Sequence, residues 1–309
     1  MRIFLLQQLF LWVCMVVVVV LIAFLPRELV FVSEEYETYG IATMNMQLYG
    51  ERLSEYVAMI GSGSLGENRY GTNVLVDLQL YASRSLQLIG IASIIAIFIG
   101  TAKAYFDTRY KGIFARSSRK IGQGMQALPD FFIIIVVQMV VLWLFRQGFP
   151  QFSLYGNEDL SAFLFAAVLL SLFPSMYFAN IVASTLESEE GSFYLIAAKG
   201  RGVKKSVLLI KHQLANALPS IVQQIPVMFM YLLSNLLMVE FLTSFRGAMY
   251  RTYQAMGFQE TSLESLPNQM YIEEPVIVVY LTFFISLGFL VNIGSRVMTE
   301  IVTRRRRLS

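Results

Sequence analysis

Phe193–Pro219 reads FYLIAAKGRGVKKSVLLIKHQLANALP and lies between two of the most apolar stretches of a 309-residue chain. Lys199, Arg201, Lys204, Lys205 and Lys211 make it too polar to span a bilayer. It is nevertheless patterned. Leu195, Ala198 and Gly202, then Val207, Leu208, Ile210 and Leu214, recur at spacings that give each half an apolar helical face. Gly202 with Val203 and Lys204 interrupts the pattern, because glycine turns the chain where other residues resist. The stretch predicts two short helices joined by a tight turn, lying in the cytoplasm between two spans.

The flanking sequence sets the class. Hydrophobic residues make up 56% of the chain and charged residues only 15%, with a mean hydropathy of +0.59. This is the composition of a polytopic membrane protein. Apolar runs at residues 3–25, 86–105, 124–145, 160–183, 219–243 and 275–298 are each about 20 residues, the length that crosses a bilayer. The first is too long for the apolar region of a signal peptide. Phe24-Leu25-Pro26-Arg27 is also a poor cleavage site, so the helix is expected to be retained. Pro174 and Pro226 are expected inside the fourth and fifth spans.

The expected fold is all-α: six transmembrane helices, both termini cytoplasmic, a cytoplasmic coupling-helix loop at 184–218 and a small external segment after the first helix. The expected divisions are 1–25, the first transmembrane helix; 26–83, the external segment; and 84–309, a five-helix core. Charge placement carries the orientation. Every lysine of the chain, with Arg2, Arg109, Arg116, Arg119, Arg201, Arg296 and Arg304–Arg307, falls on one side of the six-span scheme, and basic loops stay in the cytoplasm. The segment 26–83 is acidic, has no lysine and contains the flexible turn Gly61-Ser62-Gly63-Ser64-Leu65-Gly66.

Several motifs resemble those of ABC-importer permeases of the dipeptide/oligopeptide/nickel family, the inner-membrane components of binding-protein-dependent transport systems. Their cytoplasmic loop carries Glu-Ala-Ala, three residues, then Gly. Here Ile196-Ala197-Ala198-Lys199-Gly200-Arg201-Gly202 keeps both alanines and the glycine and puts Ile196 in the Glu position. Val207-Leu208-Leu209-Ile210-Lys211-His212-Gln213-Leu214-Ala215-Asn216-Ala217-Leu218 resembles the family's Leu-Leu-Arg-His-x-Leu-x-Asn-Ala-Leu run. Gly63-Ser64-Leu65-Gly66 is similar to Gly-Asp-Leu-Gly, and Leu128-Pro129-Asp130-Phe131-Phe132 to Leu-Pro-Ser-Phe. Glu240, Ser244 and Gly247 match Glu-x-x-Phe-Ser-Trp-Pro-Gly-Leu-Gly, with Arg246 in place of the proline and Met249 in place of the second glycine.

The resemblance implies a permease subunit of an ATP-driven importer of peptides or a related small solute, a nickel or other metal chelate included. It would form half of the pathway and dock an ATPase subunit through residues 193–217. The coupling residues it implies are Ala197, Ala198, Gly202, Lys204, Lys205 and His212. Glu240, Gly247 and Pro129 are pathway or structural positions. The implied partners are a second, homologous permease in a heterodimer, two ABC ATPase subunits, an extracellular or periplasmic substrate-binding protein and membrane lipid, with no nucleic acid. The implied place is a bacterial or archaeal inner or plasma membrane.

The chain's own chemistry bounds this reading. It has one histidine and one cysteine, so no metal site from Cys/His pairs is available, and no phosphate-binding Gly-x-x-x-x-Gly-Lys-[Ser/Thr] loop exists. The chain is therefore expected to be non-catalytic and without a cofactor of its own, with ATP hydrolysis on another subunit. The competing class is a stand-alone secondary transporter or channel. That class calls for ionisable residues along a coupling path inside the membrane, and the middles of spans one, two, four and six have almost none. A membrane scaffold is a third reading.

Overall fold

The computed structural model describes residues 2–25, 28–34, 37–43, 46–110, 113, 117–118, 120, 122, 124, 127–257 and 272–307. In order these form α1 (Arg2–Ala23), β1 (Glu28–Glu34), β2 (Glu37–Thr43), α2 (Met46–Gly61), α3 (Val74–Arg109), α4 (Asp130–Arg146), α5 (Leu160–Ser188) and α6 (Phe193–Gly200). A helical turn at Lys205–Val207 and a π-helical segment Leu208–Leu214 lead into α7 (Ala215–Val222), α8 (Ile225–Leu242), α9 (Ala248–Ala255) and α10 (Glu274–Arg307).

Among the described residues five helices are long and apolar enough to cross a membrane: Ile3–Ala23, Val74–Arg109, Leu160–Ser188, Ile225–Leu242 and Glu274–Arg304. The third expected span is α4, whose 17 residues rise about 26 Å, near the lower limit for crossing. It starts at Asp130, and Pro129 is its N-cap residue with extended backbone, φ −60° and ψ 137°. A proline's fixed φ and missing N–H suit a helix start and not a helix interior.

The expected all-α chain gains one β element. β1 and β2 pair antiparallel from Glu28↔Thr43 to Glu34↔Glu37, inside the acidic stretch expected to be a small external segment. Neither run alternates polar with apolar residues, Leu29-Val30-Phe31-Val32 being apolar without a break, so the period-two signal of a half-buried strand is missing.

The fifth span also departs from expectation in its start, because it begins at Ile225 and not at Pro219, which puts Pro226 at its beginning and not in its interior. Pro226 sits in the first turn of α8, and a break at Gln223–Gln224 separates α7 from α8. Proline cannot donate to the carbonyl four residues back and its ring crowds that carbonyl. Val222 is the residue so deprived, and its carbonyl accepts instead from the Ser295 hydroxyl at 2.7 Å. Pro174 does lie within α5.

The chain divides into two compact units, Met1–Ala82 with Arg251–Ser286 and Ser83–Tyr250 with Leu287–Ser309. In the first, Trp12 Nε1–H donates to Ser286 Oγ at 3.0 Å. The Phe24 and Tyr56 rings stack tilted at 4.8 Å, and Tyr49 O–H donates to the Leu21 carbonyl at 3.0 Å. Gly66 has φ +98°, and a Cβ there would stand 2.7 Å from Pro275 Cβ, so only glycine serves.

In the second unit α5 is the central helix, with 67% of its most apolar window buried. Ala162, Ala166, Ala167, Leu169, Leu170, Phe173 and Phe178 lie inside it. α3 approaches it at Gly100, where a Cβ would meet the Ser175 carbonyl oxygen at 2.9 Å. α8 packs along α5 and also against α4, with Met228, Leu232, Leu236 and Val239 buried at turns of one helical face.

Candidate functional site

The segment that opened the sequence reading forms the expected two helices. α6 ends at Gly200, and Arg201 and Gly202 make the turn. Gly202 has φ +76° and nothing within 4 Å of a would-be Cβ. The need for glycine there is a backbone need: an L side chain is strained at that φ, whatever the space.

Leu195 is fully buried while Phe193, two residues away, is 91% exposed. At 100° per residue Phe193, Ile196, Ala197 and Gly200 share one face opposite Leu195. The observed exposure agrees, since Ile196, Ala197 and Gly200 are all exposed. Ala198 is half-buried on the other side. Of the expected coupling residues, only Ala197 lies on this exposed face. Tyr194 O–H donates to Glu189 Oε2 at 2.6 Å and fixes the start of the helix.

The run Leu208–Leu214 is π-helical. A π turn closes i→i+5 and so takes in one residue more than an α turn. The result keeps Leu208, Leu209, Gln213, Ala217 and Ile221 all buried. Gln213 Nε2–H donates to the Leu186 carbonyl near the end of α5. Lys204 is exposed; the side chains of Lys205 and His212 lie outside the described residues.

Glu240 and Gly247 come together. Glu240 is fully buried near the end of α8. Its Oε1 accepts from the Ser85 hydroxyl at 2.5 Å, and its Oε2 accepts from the Tyr250 N–H at 2.8 Å. Ser85 Oγ in turn accepts from the Ala248 N–H at 2.7 Å. Glu240's own carbonyl accepts from the Phe245 N–H at 2.8 Å, closing the turn after α8. Ser244 holds a left-handed φ of 51° within that turn. A Cβ on Gly247 would stand 2.1 Å from Glu240 Oε1 and 2.5 Å from Ser85 Oγ, so the carboxylate occupies the space that glycine leaves.

Arg84 Nη1–H donates to the Arg246 carbonyl at 3.2 Å on the exposed side of the turn. Pro129 is not part of this cluster; its described role is the start of α4.

The sequence reading assigned no role to a buried ion cluster in the other unit. Arg251 Nε–H donates to Asp77 Oδ2 at 3.1 Å, and its two terminal nitrogens donate to Glu273 at 3.0 and 2.7 Å. Glu273 also accepts from the Arg69 N–H at 3.0 Å, and Tyr280 O–H donates to Asp77 Oδ2 at 3.2 Å. Arg251 and Glu273 are each 3% exposed. Burial raises the Glu273 carboxyl, but the Arg251 hydrogen bonds, the Arg69 N–H and the two guanidinium charges outweigh it and hold the group below its ordinary range. Burial likewise works against the Arg251 charge, and the Glu273 and Asp77 carboxylates overcome it, so its pKa is raised. The one sequence signal was an acid or arginine standing at the margin of an apolar run, which also fits a solvated helix end.

Residues 92–308 match the family described as the binding-protein-dependent transport system inner membrane component. Two crystal forms of the MetNI methionine ABC transporter in inward-facing conformations are similar in structure. The CY5 SeMet soak form has 17% identity and a TM-score of 0.56, covering 74% of this chain and 96% of that one. The CY5 native form has 18% identity and a TM-score of 0.56, covering 73% and 95%. A crystal structure of an amino acid ABC transporter with histidines has 14% identity and a TM-score of 0.49, covering 78% and 97%. No curated protein matches this chain.

Two outcomes follow from the two clusters. Gly247→Ala drives a methyl into the Glu240 carboxylate and is expected to cost about 3 kcal/mol, the upper end for overpacking. Glu240→Gln keeps the volume and loses one acceptor, at about 1–3 kcal/mol. Thermal unfolding in mild detergent checks both, and a Gly247→Ala protein of wild-type stability would contradict the geometry.

Glu273 has a depressed folded pKa, so its contribution is full above its unfolded pKa of about 4.3 and is lost as pH falls through the folded value. Glu273→Gln should lower stability at pH 7 by about 3–5 kcal/mol, because it strips a buried guanidinium of a partner. It should also flatten the loss of stability seen on acidification below about pH 4.3. Unfolding midpoints across pH for both proteins measure this.

Proposed function

We propose that this chain, which belongs to the family of binding-protein-dependent transport system inner-membrane components, is one of two non-identical permease subunits of an ATP-driven importer for peptides or a related small solute, metal chelates included. The chain is then one half of the translocation pathway and works beside separate ATPase subunits and an external binding protein. The observation that carries this reading is α6. It is a short helix with one buried leucine, one exposed face bearing Ala197 and Gly200, and a glycine-dependent turn behind it. Small residues on an exposed face let a helix lie close to a partner surface.

In this reading ATP binding closes the ATPase pair and moves α6 with it. The spans then switch between inward- and outward-open arrangements, a two-state change biased by a ligand bound elsewhere. Glu240 supports the pathway by fixing the turn after α8. Lys204, Lys205 and His212 belong to the docking segment. The membrane is the inner or plasma membrane of a bacterium or archaeon, crossed six times with both termini inside. The charge bias of the loops and the five long apolar helices support that count, with α4 as the sixth crossing.

Topology is tested with single cysteines in a background where Cys14 is replaced. Cysteines at Ser62 and Gly257 should react with an impermeant thiol reagent from outside, and one at Ser206 only after the membrane is opened. Outside labelling at Ser206 reverses the orientation.

Docking is tested with Gly202→Val, which imposes strain at φ +76°, and Ala197→Arg, which adds volume to the exposed face. Both chains should insert and stay folded while ATPase co-purification and solute uptake fall at least tenfold. Retention of both activities by both variants removes the docking assignment.

A further inference from the structure

α10 does not stop where its packing stops. Ser295 is its last buried residue among those described, and its hydroxyl is tied to the Val222 carbonyl. From Arg296 to Arg304 no residue is buried, yet the helix runs on unbroken to Arg307. The Thr299 and Thr303 hydroxyls donate to the helix's own carbonyls at Ser295 and Thr299 and call for no outside partner. Val297, Met298 and Ile301 are exposed, Met298 at 55% and Ile301 at 49%. Spacings of three and four put them on one face. Arg304 and Arg305 follow Ile301 at the same spacings, so that face continues into four consecutive arginines. The one acid of the stretch, Glu300, accepts from Arg304 at 2.8 Å along the helix, and the Arg304 side chain is still 76% exposed. With Arg296, five arginines stand against one glutamate between residues 296 and 307.

Lengths place these arginines. The candidate span Glu274–Arg304 has 31 residues, about 46 Å of helix against about 30 Å of hydrocarbon, so about 16 Å lies in or beyond the headgroup layers. Arg304 and Arg305 stand about 5–6 Å along the axis from Ile301, where the exposed apolar face ends. One headgroup layer is about 5–7 Å deep.

We propose that the last three turns of α10 form a binding site for anionic phospholipid. Val297, Met298 and Ile301 lie against the acyl chains, and Arg304–Arg307 bind the headgroup phosphates. The guanidinium fork matches phosphate and is weakly hydrated, and each basic side chain near an anionic surface adds about fivefold in affinity. The inference rests on α10 being a span and does not need the importer reading. A topological anchor also places arginines at a cytoplasmic helix end. It does not call for an exposed apolar face leading into them, and the lysines of the loops already supply the charge bias. An acidic protein surface is the other occupant of an arginine run. The apolar face favours lipid, because it continues a transmembrane helix and meets acyl chains without any further docking.

The test uses the full chain in nanodiscs of phosphatidylcholine and phosphatidylglycerol, with the co-purifying subunits present and again after their removal. Cys14 is replaced by alanine (Cys14→Ala), and Ser309→Cys carries a fluorophore. Its quenching by spin-labelled phosphatidylglycerol is compared with that by spin-labelled phosphatidylcholine. Phosphatidylglycerol should be favoured at least about fivefold, falling below about twofold in about 1 M salt. Arg304→Gln, Arg305→Gln, Arg306→Gln and Arg307→Gln together should abolish the preference while the chain stays inserted.

A wild-type preference below about twofold leaves the arginines as topological anchors only and overturns the site. An equal preference in the glutamine variant places the lipid elsewhere and overturns it as well. A preference that appears only after the other subunits are removed assigns the arginines to a protein partner and also overturns it. None of these results touches the importer reading, which stands or falls on ATPase co-purification.

Discussion

A carboxylate with no exposed surface must be met by donors, and Glu240 sets that demand where α8 ends. One donor comes from Ser85 on α3 and one from the Tyr250 N–H on α9. Ser85 then takes the Ala248 N–H, one of the donors that a helix start leaves without an intrahelical partner. The chain therefore reverses after α8 around a single acid, and Gly247 is the residue whose missing side chain makes room for it. No substrate role is required to explain why an acid stands there. The turn cannot close without an acceptor for these donors.

The same economy of backbone groups explains the break before α8. Pro226 deprives the Val222 carbonyl of its helical partner, and the Ser295 hydroxyl supplies one. In a low-dielectric surrounding an unpartnered carbonyl costs more than in water, so a proline break at a span needs such a neighbour. The kink and the serine, 73 residues apart in sequence, form one structural feature.

Much of the architecture was legible because it follows from local rules. Apolar runs picked out the five long helices, and Gly202 marked the turn after α6. The partners of the buried acids were not legible. Ser85 lies 155 residues from Glu240 in the chain, and nothing in its own surroundings distinguishes it from other serines at the margins of spans. Asp77, Arg251 and Glu273 were readable as charged residues near apolar runs, but their mutual pairing is set by tertiary packing. The β1–β2 ribbon was missed because neither run alternates polar with apolar residues. Two alanines adjacent in sequence stand 100° apart on a helix, so Ala197 and Ala198 do not share one surface.

That angular separation bears on how a push on α6 would be felt. Ala197 faces outward with Phe193 and Ile196, while Ala198 and Leu195 face inward. The inward side rests on the π-helical segment, whose Gln213 is bonded to the Leu186 carbonyl near the end of α5. A displacement of the exposed face therefore reaches α5 through a buried leucine and a hydrogen-bonded amide, with no flexible linker between. The π geometry of Leu208–Leu214 fits this chain of contacts, because it leaves Leu208, Leu209 and Gln213 on the buried side together. Rewound as an α-helix, the segment would rotate one of these groups about 100° away from the packing it now shares.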